Sequence, residues 1–468
     1  LKMRRRKNIF TIIFFLALCS GCAVGPNYKR PILPVPPEYR GASLPQTGKS
    51  EVAAFGTQRW WDAFPDEVLR DLIHTTLEQN YDVRIAAARI LEARAQLGIT
   101  RADQLPSVTA GAAAVNERLP QTVTISSIET SASQVSASFA WELDFWGKFR
   151  RATESARADL LAQEWARRQV IRSLVSGVAG AYFQLRELDL ELEISRETLA
   201  SRQDSLRLTK ILADGGATSM VDVRQAEQLV YGAAVAIPSL EQQIAQQENF
   251  ISTLLGKYPE SIARGRKLVD QPHALEVPAG LPSSLLQRRP DILQAEQQLI
   301  SANAQIGVAK ADYFPQISLT ATGGYQSSAL TSLFTGPAGF WTFGGNAVQP
   351  VFEGGRIRNR VRLASARTEE ASLIYQRTVQ QAFRDVSDAL VGYRRSQEVR
   401  IQQEQLTHSA EEATTLSKMR YRGGATSYLE VLDSDTRYFS AQLGLARADL
   451  SELLSFVNLY SALGGGWE

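Results

Sequence analysis

Cysteine and histidine are nearly absent from this 468-residue chain: it has two cysteines, Cys19 and Cys22, and three histidines, His74, His273 and His408, set far apart. Cysteines confined to the N-terminus cannot staple a fold that lies further down the chain, so the core is expected to be free of disulfides. No Gly-x-Ser-x-Gly occurs, and neither does a Walker-type glycine loop. Gly354-Gly355-Arg356 resembles a phosphate loop only superficially and reads as a strand-to-helix bend matching Gly147-Lys148. No catalytic residue and no metal site are therefore assigned, and the chain is not expected to be an enzyme. Long hydrophobic runs are also missing: the apolar stretch Ile9 to Leu18 is too short to span a bilayer as a helix. Net charge is only +2, and Lys2, Arg4, Arg5, Arg6 and Lys7 supply more than all of it, which leaves no nucleic-acid surface.

Those five basic residues, the apolar run and Cys19-Ser20-Gly21-Cys22 have the layout of a secretory leader ending at small residues. Small residues followed by cysteine resemble the bacterial lipobox. The resemblance implies a lipoprotein signal peptide at residues 1–21 and acylation of Cys22 with diacylglycerol and an N-acyl chain; an ordinary leader cleaved nearby is the alternative. Ala23-Val24 follows, without the aspartate that retains lipoproteins in the inner membrane, so the expected destination is the outer membrane.

The chain also repeats itself after about 208 residues. Ala93-Arg94-Ala95-Gln96-Leu97-Gly98 returns as Ala302-Asn303-Ala304-Gln305-Ile306-Gly307. Arg101-Ala102-Asp103 returns as Lys310-Ala311-Asp312, and Gly215-Gly216-Ala217-Thr218-Ser219 returns unchanged as Gly423-Gly424-Ala425-Thr426-Ser427. Within each half the apolar period changes in the same order. Helical spacing over Tyr81 to Ala102 gives way to strict alternation through Val135, Ala137, Phe139, Trp141, Leu143 and Phe145, and each half offers two strands. Proline-free stretches rich in Ala, Glu, Arg, Gln and Leu then run from Lys148 to Leu212 and from Arg356 to Tyr421. As helices rising about 1.5 Å per residue, each would approach 100 Å. Both end at Gly-Gly, with Thr218 and Thr426 placed to cap the returning helix. Strands of this length suit an outer-membrane barrel, but four cannot close one, because the smallest have about eight. They belong either to a soluble sheet or to a barrel shared by several chains.

The chain resembles the outer membrane factors, the TolC-like exit ducts, and within them the lipoprotein (NodT-type) branch serving RND pumps. The resemblance rests on Cys22-Ala23-Val24-Gly25-Pro26-Asn27-Tyr28, Trp60-Trp61 with Phe64, Arg288-Arg289-Pro290-Asp291-Ile292, and Tyr421 to Arg437. It implies an α+β membrane protein: a homotrimer whose three four-stranded contributions close a twelve-stranded barrel, continuous with a twelve-helix periplasmic tunnel. The implied organisation is an N-terminal strap at 22–65; a first repeat at 66–256, with strands near 106–116 and 131–145 and a hairpin at 148–256; and an equatorial link at 257–282. A second repeat at 283–463 follows, with strands near 315–326 and 340–352 and a hairpin at 356–463, and then a tail at 464–468.

The resemblance further implies passive export of drugs or other toxic small molecules handed over by a periplasmic adaptor and an RND-type inner-membrane pump. Glu430 and Asp433 would form an acidic ring at the closed tunnel end. Tyr421 would latch that end by a hydrogen bond to an acid of the other hairpin, for which Asp222 is the natural acceptor. A family arginine aligns with Thr426, leaving Arg422 as the nearest substitute, and Gln225 replaces the second acid of the first hairpin. Gly216, Ala217, Thr218, Gly424, Ala425 and Thr426 are the expected adaptor-contact tips. A non-conducting envelope scaffold and a type I secretion duct stay open as alternatives. A periplasmic adaptor would show one hairpin and a lipoyl-like barrel, which the twofold repeat opposes.

Overall fold

The computed structural model describes residues 23–34, 36, 39–40, 59–119, 128–271 and 282–467. The leader and Cys22 lie outside these residues. In chain order the elements are α1 (Trp60–Ala63), α2 (Glu67–Gln79), α3 (Tyr81–Ala102), β1 (Ser107–Leu119), β2 (Ile128–Leu143), α4 (Lys148–Asp214) and α5 (Met220–Leu254). They continue with α6 (Pro282–Arg288), α7 (Pro290–Ala311), β3 (Gln316–Ser327), β4 (Gly339–Val348), α8 (Arg356–Arg422) and α9 (Tyr428–Ala462). The order helix, two strands, two long helices occurs twice, so the fold is α+β, with one small sheet and long helical hairpins. β4 stops at Val348, short of residue 352, because Pro350 has no N–H to give a ladder. No described helix is long and apolar enough to cross a membrane.

The chain forms two compact units. One comprises residues up to Ile32, Arg89–Glu164 and Gln294–Gln376; the other comprises Leu33–Ala88, Trp165–Leu293 and Arg377–Glu468.

The first unit holds an antiparallel sheet in the order β1-β2-β3-β4. Its register sorts the side chains into rows. Val108, Phe139, Ala321 and Phe343 are cross-strand partners, as are Ala110, Ala137, Gly323 and Trp341, whereas the row between them is Thr109, Ser138, Thr322 and Thr342. Successive residues point to opposite faces, so one face is apolar and the other carries hydroxyls. Val108, Trp341 and Phe343 are exposed on the apolar face, and the Ser138 and Thr322 hydroxyls meet at 3.2 Å on the other.

The strap entering this unit is fixed residue by residue. The Val24 amide donates to the Trp146 carbonyl at 3.0 Å, and the Asn303 amide donates to Pro26 O at 3.0 Å. Tyr28 Oη and Arg30 Nε donate to Glu296 Oε1 at 3.0 and 2.6 Å. Burial and the adjacent Glu296 carboxylate raise the Tyr28 phenol. Gly25 has φ +108°, and a Cβ there would lie 2.5 Å from Gly307 Cα, so neither position accepts a side chain. Trp146 stacks on Phe314 with ring centroids 4.7 Å apart.

The second unit is organised around Asp66, the N-cap of α2. Its buried carboxylate accepts from the Val68 and Leu69 amides, from Tyr182 Oη at 3.0 Å, from the Arg266 amide at 2.9 Å and from Gln271 Nε2 at 3.0 Å. One side chain thereby ties α2, α4 and the link between the repeats. Phe64 packs beside it against Phe183, Phe456 and Tyr460.

Candidate functional site: the hairpin tips

The two tips share one backbone design, as their identical sequences require. Ala217 N donates to Leu212 O at 2.8 Å and Gly216 N to Ala213 O at 3.0 Å. In the second hairpin Ala425 N donates to Arg420 O at 2.9 Å and Gly424 N to Tyr421 O at 3.0 Å. These are Schellman closures, which need a left-handed residue; Gly216 and Gly424 supply φ +73° and +69°. Gly216, Ala217, Gly424 and Ala425 are exposed, and Thr218 and Thr426 are half-buried.

The helix caps differ from the expected ones. Ser219 and Ser427, one residue beyond the threonines, occupy the N-cap positions of α5 and α9. Ser219 forms a capping box with Asp222, and only Ser219 of the two caps through its side chain. The threonines instead hold the acids of the first turn, with Thr218 Oγ1 donating to Asp222 and Thr426 Oγ1 to Glu430.

Asp222 is thus engaged locally, and Tyr421 Oη is buried without a hydrogen-bond partner. The Tyr421–Asp222 bond is not formed within the chain. The Tyr421 ring lies edge-on to Tyr428 at 5.3 Å, among Leu206, Ala226, Val431 and Leu432. This apolar cluster joins the two hairpins close to the turns. Burial and the Asp435 carboxylate push the Tyr428 phenol up to about 12.

Glu430 accepts from Arg420 Nη1 at 2.8 Å. Asp433 is exposed and takes Arg437 at 2.8 Å. Exposed pairs of this kind are worth under about 1 kcal/mol. Glu430 and Asp433 are three residues apart on α9 and share its face.

Further from the turns lies a cluster that residue patterns did not reveal. Arg202 of α4 donates through Nε to Asp435 Oδ2 at 2.8 Å, with side-chain exposures of only 5% and 8%. Its Nη1 donates to Leu229 O of α5 at 3.0 Å, and Lys418 Nζ of α8 lies 3.1 Å from Asp435 Oδ1. All four helices of the two hairpins meet at this charge cluster. The repeat offered one clue: Lys210–Glu227 at 3.3 Å mirrors Lys418–Asp435 within the first hairpin, but nothing marked Arg202 as the residue that crosses over.

Among the described residues no group of His, Cys, Asp and Glu could hold a metal ion. The chemistry of the tips is that of charge and hydrogen bonding.

Comparison with known proteins agrees with this architecture. The family model described as outer membrane efflux protein matches residues 72–257 and 281–465. The probable efflux pump outer membrane protein TtgC of Pseudomonas putida is 37% identical over 98% of this chain and 96% of its own length. The cation efflux system protein CusC of Escherichia coli is 35% identical over 97% of this chain and 98% of its own. Among solved structures, a membrane protein from Pseudomonas aeruginosa superposes with a TM-score of 0.86 at 32% identity, covering 95% of this chain and 100% of that one. The open state of the MtrE outer membrane channel of Neisseria gonorrhoeae gives 0.86 at 29% identity, covering 96% and 99%. The chain belongs to the outer membrane efflux protein family and is the outer-membrane channel component of a tripartite efflux system.

Proposed function

We propose that three copies of this chain close one twelve-stranded barrel in the outer membrane, anchored by lipid on Cys22. In this reading the six hairpins form a periplasmic tunnel that receives drugs or other toxic small molecules from an RND-type pump through an adaptor. The observation that carries it is the sheet: four strands, an apolar face, and β1 and β4 each paired on one side only. In lipid every backbone donor and acceptor needs a partner, so such a sheet is stable only if copies pair edge to edge into a closed ring. Cyclic closure by a single heterologous contact is the simplest way to do that.

The strap supports the anchor. Val24, two residues after Cys22 in the sequence, is bonded to Trp146 at the junction of sheet and helix, which ties the strap to the sheet.

At the other end of the hairpins, Glu430 and Asp433 from three chains would form the acidic ring of the closed duct, with Tyr421 and Asp222 beside it. Rings of carboxylates select cations and bind multivalent ones tightly. The exposed turns Gly216-Ala217-Thr218 and Gly424-Ala425-Thr426 would meet the adaptor.

Planar-bilayer recording of the purified protein, with its mass determined by native mass spectrometry, tests the reading. The expected result is a trimer with small, cation-selective currents that trivalent cations block. Glu430→Ala with Asp433→Ala should relieve that block. A monomer without conductance would overturn the shared barrel, and block that survives both substitutions would overturn the ring.

A further inference from the structure

The second unit holds an open cavity of about 410 Å³ where α4, α8 and α9 meet the turn between α6 and α7. That volume falls in the range of small-molecule pockets, about 300–1,000 Å³. The walls carry both signs of charge. Arg172 of α4 and Arg289 supply cations, Asp385 and Asp388 of α8 supply carboxylates, and Ser455 and Asn458 of α9 supply neutral donors.

Both arginines are buried, with side-chain exposures of 8% and 4%, but they are unequally served. Arg289 donates through Nε and Nη2 to Asp291 at 3.0 and 2.6 Å, through Nη2 to Asp385 at 3.2 Å, and through Nη1 to Ala462 O at 3.3 Å. Arg172 makes one hydrogen bond among the described residues, from Nη1 to Ser461 O at 3.3 Å. Its Nη2 stands 3.8 Å from Asp291 Oδ2, beyond hydrogen-bond reach, and its Nε is buried without a partner. Burial and the neighbouring Arg289 charge push the Arg172 guanidinium down to about 10, so it is charged near neutrality yet short of acceptors.

Asp388 has the opposite shortage. It is exposed, and its ion-pair partner among the described residues is Arg384 at 3.9 Å, which also bonds Asp385 at 2.8 Å. At the repeat offset of 208 residues, Gln380 stands for Arg172, and Gly177 and Gly180 stand for Asp385 and Asp388. The helix packing common to both halves therefore does not call for these charges.

We propose that this cavity binds a small zwitterion with a free carboxylate and a free ammonium, the charge pattern of an α-amino acid. The carboxylate takes the unused Nη donors of Arg172, with the Ser455 hydroxyl and the Asn458 amide as neutral donors. The ammonium is held by Asp388, with Asp385 beside it. A lone anion would meet two carboxylates here, and a lone cation would meet two guanidiniums. A ligand carrying both charges relieves the shortage at both ends. All the lining side chains come from one chain, so the inference goes beyond the duct and does not depend on its assembly.

Saturation-transfer NMR on the whole chain in detergent tests this with three probes that share the alanine methyl group: alanine, N-acetylalanine, which lacks the ammonium, and alaninamide, which lacks the carboxylate. Alanine should give a saturable methyl signal, and each of the other two should bind about tenfold more weakly or worse, because a charge-assisted contact is lost. Arg172→Met should abolish alanine binding. Asp388→Asn lies at an exposed position, so its fold is secure; it should lower alanine to the level of N-acetylalanine and leave N-acetylalanine unchanged. Absence of saturable alanine binding, or alanine binding that Asp388→Asn leaves unaltered, would overturn the assignment. N-acetylalanine bound as tightly as alanine would overturn it too, leaving a simple anion site in its place.

Discussion

Replacing Asp435 with alanine is expected to loosen both hairpins at once, because its carboxylate is the meeting point of Arg202 and Lys418 and lies almost wholly out of water. The loss is larger than that of one hydrogen bond. Arg202 would remain buried, held by Leu229 O and by its position 5.0 Å over the Phe439 ring, with no counter-charge of its own. Breaking a buried pair by removing one partner costs about 3–5 kcal/mol. At about 1.4 kcal/mol per factor of ten, local opening should become roughly 10²- to 4 × 10³-fold more frequent. Amide hydrogen exchange followed by mass spectrometry reads this directly, in peptides around Arg202, Leu229 and Asp435, with peptides around Asp66 as the unaffected reference. The double variant Arg202→Met with Asp435→Leu removes both charges and keeps the volume, so it should recover most of the protection. Unchanged exchange in Asp435→Ala, or a double variant as labile as the single one, would refute the view that this cluster holds the four helices together.

Asp66 makes the second unit sensitive to acid. Burial raises its carboxyl, but the hydrogen bonds from Gln271, Arg266, Tyr182 and Leu69 outweigh burial, and the net direction is down. A depressed folded-state value contributes stability above the unfolded value of about 3.9 and loses it as pH falls through the folded value. Asp66→Asn should remove that acid-dependent part and cost about 2–4 kcal/mol near neutrality, measured by denaturant unfolding of the second unit at several pH values. Glu296→Ala should free the strap, exposing Arg30 to trypsin while the sheet stays intact; equal cleavage rates would discount the strap bonds. Cys22→Ser should abolish labelling by radioactive palmitate, and persistent labelling would place the lipid elsewhere.

Much of the fold was legible in the sequence, because periods of two and of 3.6 are set by backbone geometry alone. The repeated Gly-Gly-Ala-Thr-Ser fixed the turns, since only glycine adopts the left-handed closures at Gly216 and Gly424 without strain. The positions of Glu430 and Asp433 on one helical face followed from their spacing, as did the alternation that puts Phe139 and Trp141 on one face of β2. The caps were misplaced by one residue because Thr218-Ser219 offers two hydroxyls in a row, and backbone direction alone decides which one caps.

Partners distant in the chain were not legible. Arg202 and Asp435, or Asp66 and Gln271, are ordinary charged and polar residues until folding brings them together and excludes water, which turns weak surface interactions into strong ones. Nor did the repeat say which of its two copies of a helix would be covered: α3 and α7 share a sequence pattern, yet α7 is enclosed on both sides within the chain while α3 is enclosed on one. Sequence by itself determined the periodic elements, the turns, the apolar and hydroxyl faces of the strands and the family. Only the tertiary structure decided which charges are buried together, which hydroxyl caps each returning helix and which faces of the repeated helices are covered within the chain, because those depend on distances between segments that no local rule sets.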